Sequence, residues 1–310
     1  MSMVSMGSPV SSRRRRISGF QLAEWRDGWL FASPFIFALI VLWLGPMLYS
    51  LYAAFCEWAA ITPPHFSGLA NIRRLLADPV VGKSLGNTTF YTFLGIPLQL
   101  MVAFALAVLL NQSMRGRVLY RTIFYLPTIV PAVAIAAVWG QILNTESGVL
   151  NSVLRAVGLR AVNWLWEPAL AKPAFILMSL WTTGGAMVLL LAALQGVPQE
   201  FLEAAEIDGA GRWARFWNIT VPVISPTILF CMVMGIIGSF QTFTASFIMT
   251  NGGPQNATLF IVLYLYRQAF QLFAMGYASA LAWLVFAIVA AFTYVQFRLA
   301  GRWVYYETTM

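Results

Sequence analysis

Long runs without charged side chains are the feature that most constrains the fold of this 310-residue chain. The uncharged runs contain 29 residues (28–56), 31 (84–114), 24 (122–145), 27 (173–199), 51 (216–266) and 30 (268–297). Each exceeds the roughly 20 residues that a helix needs to cross about 30 Å of hydrocarbon. Because 60% of the residues are hydrophobic, only 10% are charged and the mean hydropathy is +0.74, we predict an all-α membrane protein.

The 51-residue run is long enough for two spans, so its internal breaks decide the number of helices. Residues 251–254 have the sequence Asn-Gly-Gly-Pro, which ends a helix because proline lacks a donor and glycine adds flexibility. Residues 255–266 are then too few to cross the membrane. We therefore predict a six-helix domain over 28–300, with spans near 29–55, 85–110, 120–143, 173–195, 222–249 and 272–298.

The placement of lysine and arginine predicts the orientation of the spans, because basic loops resist translocation. With the N-terminus inside, 12 of these residues lie on the cytoplasmic side and 7 lie outside. Both termini are then cytoplasmic, with tails over 1–27 and 301–310. The net charge of +8, which includes the cluster Arg13–Arg16, is explained by anionic membrane lipid at the inner surface, and we expect no nucleic-acid partner.

Ionisable side chains are absent from the predicted span centres, which disfavours a carrier driven by a proton or ion gradient. A sodium site built from backbone oxygens stays open as an alternative. Pro97, Pro127 and Pro131 lie inside predicted spans, where each removes a helix hydrogen bond and favours a kink. Such kinks either shape helix packing or line a pathway.

Candidate catalytic patterns in the chain are weak. Residues 82–84 (Gly-Lys-Ser) resemble the end of a phosphate-binding loop, but Ala77 stands where the motif needs glycine. His65 is the only histidine and lies in a predicted outer loop, away from a nucleophile or carboxylate at a useful spacing. Cys56 and Cys231 form no spaced cluster, so we expect neither a metal site nor a disulfide. We predict a non-catalytic protein without a cofactor of its own.

A polar segment, residues 198–222, lies between the fourth and fifth predicted spans. After a proline, residues 199–210 favour a short helix, and Gly209 permits a sharp turn. Residues 212–218 favour a second amphipathic helix, and Pro222 marks the entry to the next span. Taken alone, the segment is either an interfacial helix on lipid headgroups or a docking site for another protein.

The spacing within this segment resembles the cytoplasmic loop of the permease subunits of binding-protein-dependent ABC importers. The matching residues are Glu203, Ala204, Ala205, Gly209, Ile219, Val221 and Pro222, with Val221 where the family usually has leucine. Later residues resemble the carbohydrate-uptake branch of that family, the maltose and glycerol-phosphate type. They are Ser239, Phe240, Gln241, Phe243, 250–254 (Thr-Asn-Gly-Gly-Pro), Tyr264, Tyr266, Ala269, Phe270 and 276–280 (Gly-Tyr-Ala-Ser-Ala).

The resemblance implies the type I ABC importer permease fold, in the cytoplasmic membrane of a bacterium or archaeon. In that family the loop is a coupling helix that sits in a cleft of an ATP-hydrolysing subunit. The residues that the resemblance assigns to coupling are Glu203, Ala204, Ala205, Asp208, Gly209 and Pro222. The implied partners are a second permease subunit, two ATP-binding subunits that hold ATP and Mg, and an extracytoplasmic substrate-binding protein.

The resemblance also implies a sugar substrate, and neutral hydrogen-bonding groups with aromatic faces suit a carbohydrate. By similarity to maltose permeases, the contacts come from the third, fourth and fifth spans. The candidate residues are Thr128, Trp181, Thr182, Gly184, Gly235, Ser239, Gln241 and Thr242, with Ser239 and Thr242 on one helix face. Ordinary helix packing explains the same residues equally well, and the partner permease is an alternative holder of the substrate. Import of another polar solute, such as a phosphorylated polyol, and a self-sufficient secondary carrier are the alternative functions.

Overall fold

The computed structural model describes residues 19–305, and helices make up most of them. The predictions for residues 1–18, with Arg13–Arg16, and for 306–310 lie outside the described residues. The helices are Gly19–Ala38, Leu39–Leu44, Gly45–Ala54, Ala70–Ala77, Pro79–Asn111, Arg117–Ile129, Ala132–Ile142, Val149–Ala156, Pro168–Trp181, Gly184–Gln195, Gln199–Ile207, Arg212–Arg215, Phe216–Thr220, Val221–Phe240, Thr244–Met249, Ile261–Tyr266, Arg267–Gln271 and Met275–Ala300. Two short strands, Cys56–Glu57 and His65–Phe66, pair antiparallel.

The chain divides between Tyr52 and Ala53 into two units. The first unit is a helix that contains a π-helical stretch at Leu39–Leu44. Its apolar side chains are open, and Phe31 is 92% exposed. Because so much apolar surface is unstable in water, lipid or another protein surface must cover this helix.

Six segments of the described residues match the six predicted spans in chain order. Four helices are long and apolar enough to cross a membrane: Glu24–Ala54, Pro79–Asn111, Arg212–Met249 and Met275–Ala300. Two bent pairs supply the other two, Arg117–Ile129 with Ala132–Ile142 and Pro168–Trp181 with Gly184–Gln195. We number these segments the first to sixth spans in the order of the chain.

The third and fourth spans are bent rather than continuous. The third span bends by 101° and the fourth by 48°. Pro131 is the N-cap of the second half of the third span, where proline has no helical hydrogen bond to lose. The predicted kink is therefore confirmed at Pro131, whereas Pro97 lies inside an unbroken helix, Pro79–Asn111.

The fifth span begins before its predicted start, and it is broken before its predicted end. The prediction of a separate second hairpin helix that ends before Pro222 is wrong, because the helix is continuous from Arg212 to Phe240. A π-helical stretch, Phe216–Thr220, precedes the proline and alters the hydrogen-bonding pattern there. The helix ends at Phe240, so the prediction that Ser239 and Thr242 share one helix face is also wrong.

The second span packs at the centre of the second unit. Its residues Ala103 and Ala107 are fully buried in a cluster with Met187 and Leu190 of the fourth span. Small residues at such a contact let two helices approach closely. Residues 82–84 lie inside the second span, so they form no loop that could enclose a phosphate.

Candidate functional site

The hairpin (residues 198–222) consists of a short helix, a glycine turn and the beginning of the fifth span. Its first helix is Gln199–Ile207. Gly209 follows with a φ of 81°, and the N–H of Ala210 donates to the carbonyl oxygen of Ala205 at 2.8 Å. A side chain is disfavoured at this φ, so glycine is needed at the predicted turn.

One contact joins the two arms of the hairpin, and another joins the hairpin to the second span. Arg215 Nη1 donates to Glu206 Oε2 at 2.5 Å, which joins the two arms across the turn. The ring of Phe216 stacks on Phe104 of the second span with centroids 5.9 Å apart. The first hairpin helix is therefore joined to the start of the fifth span, which is itself packed on the second span.

The first hairpin helix has an open surface beside a cleft of about 420 Å³. Tyr305, near the end of the described chain, lines the same cleft, and its N–H donates to Ser225 Oγ at 2.9 Å. Four predicted coupling residues line the cleft: Ala204, Ala205, Asp208 and Pro222. Glu203 is exposed on the same helix and Gly209 forms the turn, so all six lie on one hairpin.

Most of the predicted substrate residues lie at or beside breaks in three spans. The third span breaks after Ile129, the fourth after Trp181 and the fifth after Phe240. Backbone carbonyls at such breaks lose their helical donors and need other polar partners. Six of the eight candidates lie at or beside the breaks: Thr128, Trp181, Thr182, Gly184, Gln241 and Thr242.

The third and fourth spans approach closely at their breaks. A Cβ on Gly184 would lie 2.6 Å from Thr128 Oγ1 and 2.8 Å from Tyr125 Cα, so only glycine fits this contact. The rings of Trp139 and Trp181 meet edge to face with centroids 6.1 Å apart. Trp181 is 42% exposed, which leaves part of its ring open to a ligand.

Gly235 and Ser239 face the second span rather than a break. Ser239 is 6% exposed, and its hydroxyl lies 2.8 Å from Thr92 Oγ1 and 2.9 Å from the Ile236 carbonyl oxygen. A Cβ on Gly235 would lie 3.0 Å from Ile96 Cγ2. These contacts correspond to the helix packing that the sequence left as the alternative explanation.

Two aromatic residues that face residues of the breaks were not among the predicted site residues. Tyr91 is 8% exposed, and its hydroxyl faces the side chains of Ser179 and Thr242. Trp139 packs on Trp181. Neither residue has a distinguishing sequence signal, because an aromatic residue in an apolar run has the same pattern in the core, in lipid or at a ligand.

Asp78 caps the second span at the end away from the hairpin. Its carboxylate accepts from the N–H of Val80 at 2.9 Å and from the hydroxyls of Tyr264 and Tyr277 at 2.5 and 2.7 Å. Burial alone would raise the pKa of Asp78, but the hydrogen bonds from the two tyrosines and the backbone outweigh it and lower the pKa. Burial, followed by the hydrogen bond to Asp78, raises the pKa of Tyr264 to about 12. A charged carboxylate therefore holds the second and sixth spans together.

Six membrane segments, a fixed hairpin and polar breaks in three spans define a multi-pass membrane permease. The family described as "Binding-protein-dependent transport system inner membrane component" matches residues 83–302, and the chain belongs to this family. The predicted family and the predicted fold class are thereby confirmed.

Relatives and solved structures cover nearly the whole chain. The probable ABC transporter permease protein YesP of Bacillus subtilis is 39% identical over 99% of both chains. The lactose transport system permease protein LacF of Rhizobium radiobacter is 34% identical over 88% of this chain and 94% of its own. The trehalose/maltose transport system permease protein MalF of Thermococcus litoralis is 31% identical over 92% of this chain and 97% of its own. A chain of a bacterial alginate ABC transporter, crystallised with an alginate-bound periplasmic protein, has a TM-score of 0.79 and 23% identity, covers 92% of this chain and 98% of that chain, and shows the fold.

Proposed function

We propose that this permease imports a sugar and that residues 198–222 couple import to ATP hydrolysis in a separate subunit. The names of two relatives, for lactose and for trehalose and maltose transport, support a sugar rather than a phosphorylated polyol. The chain itself is non-catalytic in this proposal. It forms half of the translocation pathway.

The observation that carries the coupling role is the continuous helix from Arg212 to Phe240. The contact between Arg215 and Glu206 ties the first hairpin helix to the beginning of this helix. The break of the fifth span lies at the other end of the helix, where Gln241 follows directly. A displacement of the hairpin therefore reaches the break as a movement of one rigid element.

An ATP-hydrolysing partner suits the surface of the hairpin. Glu203 and Asp208 are exposed and offer negative charge to a basic partner. Ile207 is 87% exposed and Trp213 is 75% exposed, and large open apolar side chains are typical of protein interfaces.

The complete transporter in this proposal contains a second permease subunit, two ATP-binding subunits and an extracytoplasmic substrate-binding protein. ATP and Mg bind to the ATP-binding subunits. The complex lies in the cytoplasmic membrane of a bacterium or archaeon. In this arrangement the hairpin is cytoplasmic, in agreement with the excess of arginine and lysine on that side.

The sugar contacts in this proposal lie at the breaks of the third, fourth and fifth spans. Thr182 and Gln241 offer neutral hydrogen-bonding groups, and the partly exposed ring of Trp181 offers a flat face to the C–H surface of a sugar. Tyr91 faces Thr242, and Trp139 packs on Trp181, so both support this region. The buried Ser239 contributes packing.

Two glycines of the hairpin provide a matched test of coupling. Gly209 has a φ of 81° and Gly211 a φ of −64°, and a Cβ at either position would have nothing within 4 Å. Threonine at 209 is strained by about 1–2 kcal/mol, whereas threonine at 211 is a favourable N-cap. We expect Gly209→Thr to lose most uptake and most substrate-stimulated ATPase activity of the complex while the subunit stays in the membrane. Gly211→Thr should retain both activities.

Three results would contradict parts of the proposal. Normal uptake in both Gly209→Thr and Glu203→Ala would contradict the coupling role. Gradient-driven uptake by the purified chain in vesicles, without an ATPase, would contradict the importer itself. Uptake of glycerol phosphate, together with no uptake of labelled lactose, maltose or trehalose, would contradict the sugar class.

A further inference from the structure

A cleft opens beside the C-terminal end of the third span, on the side of the second unit away from the hairpin. It has a volume of about 280 Å³ and lies between the second half of the third span and the short helix Thr244–Met249. The loop before the fourth span covers one side. The lining residues that matter here are Gly140, Gln141, Asn144, Trp166 and Met249.

A tightly bonded loop holds Trp166 beside this cleft. Asn151 is fully buried, and its side chain makes five hydrogen bonds. One of them is donated by the indole N–H of Trp164 at 3.1 Å. Leu165 is 5% exposed, yet the next residue, Trp166, is 60% exposed. The hydrogen-bonded loop therefore presents the indole of Trp166 beside the cleft.

The cleft offers neutral polar groups next to the indole ring. Among the described residues that line it, none carries a charged side chain. Gln141 is exposed. Asn144 Oδ1 already accepts from the N–H groups of Glu146 and Ser147 at 2.9 and 3.0 Å, so the N–H groups of this side-chain amide are the part left to bind a ligand. Amides bind sugar hydroxyls, and an indole face packs on sugar C–H groups.

We propose that this cleft is a second saccharide site, which binds one ring of a neutral saccharide outside the breaks. The proposal rests on the proposed sugar import and deepens it, because an uncharged cleft favours neutral over acidic sugars. The volume, just below the roughly 300–1,000 Å³ that is usual for ligand pockets, suits a single ring.

One helix connects this cleft to the cargo residues. Gly140 and Gln141 line the cleft, and the adjacent Trp139 contacts Trp181 at the break of the fourth span. A saccharide in the cleft would therefore lie against the same helix that contacts Trp181 at the proposed cargo site.

The test uses the intact transporter in lipid nanodiscs, without the extracytoplasmic protein and in a Trp181→Ala background that weakens the site at the breaks. The probe is whichever of lactose, maltose and trehalose the transporter takes up, and digalacturonate is the acidic comparison. Trp166→Ala removes the aromatic face, and Trp166→Phe keeps it. Gly140→Val fills the cleft without a backbone clash, because the nearest atom to a Cβ there is Met249 Cγ at 4.0 Å. Leu159→Ala, at an exposed apolar residue of the same loop, is the matched control.

We expect Trp166→Ala and Gly140→Val to weaken binding of the neutral probe about tenfold in titration calorimetry. Trp166→Phe and Leu159→Ala should bind within about twofold of the parent, and digalacturonate should bind more weakly than the neutral probe. Unchanged affinity in both cleft variants would overturn the proposal, as would tighter binding of digalacturonate. In a separate titration with the extracytoplasmic protein, weaker binding of that protein by cleft variants that keep their saccharide affinity would overturn it in favour of a protein-docking surface. Absence of uptake for all three sugars would instead overturn sugar import itself, so the two failures are distinguishable.

Discussion

Replacement of Gly184 by alanine tests the contact between the third and fourth spans at their breaks. The new Cβ would lie 2.6 Å from Thr128 Oγ1 and 2.8 Å from Tyr125 Cα, and also against the carbonyl oxygen of Phe124. Two of these three atoms belong to the backbone of the helix Arg117–Ile129, so a rotamer change cannot relieve the overlap. The helix itself must shift.

The size of the effect follows from a comparison with the next residue. A Cβ on Gly185 would lie 3.5 Å from Thr128 Cγ2, which is an ordinary contact. Both glycines are in the first turn of the same helix, so alanine changes the intrinsic helix propensity nearly equally at both. Overpacking of this kind costs about 1–3 kcal/mol, and we expect Gly184→Ala to be less stable than Gly185→Ala by that amount.

Thermal unfolding of the purified permease measures this difference. Cys56 and Cys231 are both buried, so a thiol-reactive fluorophore reports their exposure on unfolding. At about 2–4 °C per kcal/mol, Gly184→Ala should unfold roughly 2–12 °C below Gly185→Ala. Sugar uptake should fall only in Gly184→Ala, because Thr128 moves with its helix. Equal unfolding temperatures for the two variants would refute the close approach of the two spans.

Three further predictions concern other contacts. Asn151→Ala should lower the free energy of unfolding by about 3 kcal/mol and speed proteolysis of the loop at 144–166; an unchanged cleavage rate would contradict its role. Because the pKa of Asp78 is lowered in the folded state, its stabilisation is present above about pH 4 and is lost as the pH falls further. At pH 7, Asp78→Asn should therefore unfold at a lower temperature than the parent, and it should lose less stability when the pH is lowered. Parallel curves of unfolding temperature against pH for the two proteins would argue against a role for this carboxylate. Ser239→Ala should lower stability by about 1 kcal/mol with unchanged half-saturation for sugar, whereas Gln241→Ala should raise the half-saturation; the opposite pattern would exchange the two roles.

The number and order of the spans could be predicted because lipid imposes a simple length requirement on uncharged runs. The residue at which the fifth span begins, and the break within it, could not be predicted in this way. Pro222 suggested a boundary, yet the π-helical stretch before it lets the helix continue, with the N–H of Val221 donating to the carbonyl oxygen of Phe216. The π-helical stretch is accompanied by packing of Phe216 on Phe104. A contact between residues so far apart in the chain leaves no pattern in a single sequence.

The candidate site was only partly accessible from the sequence. The hairpin residues follow from their spacing, and the φ of Gly209 agrees with the predicted turn. For the predicted sugar residues, the sequence could not separate Ser239, which is buried against the second span, from Gln241, which is exposed at a break. Both are polar residues, two positions apart in the same uncharged run, and their difference depends on where the helix ends.

In the proposed function, the breaks let a permease without charged residues in its span centres bind a polar cargo. A continuous helix in lipid satisfies its own backbone groups and offers a ligand only side chains. At the break after Trp181, the Thr182 hydroxyl donates to the carbonyl oxygen of Ser179 at 3.0 Å, and the N–H of Thr182 donates to the same oxygen at 3.2 Å. The freed carbonyl groups nearby can then accept from a ligand, which adds polar contacts without the cost of a buried charge. In the proposed mechanism the fifth span carries hairpin movement to its own break at Gln241, so coupling and cargo contact would meet where the helix ends.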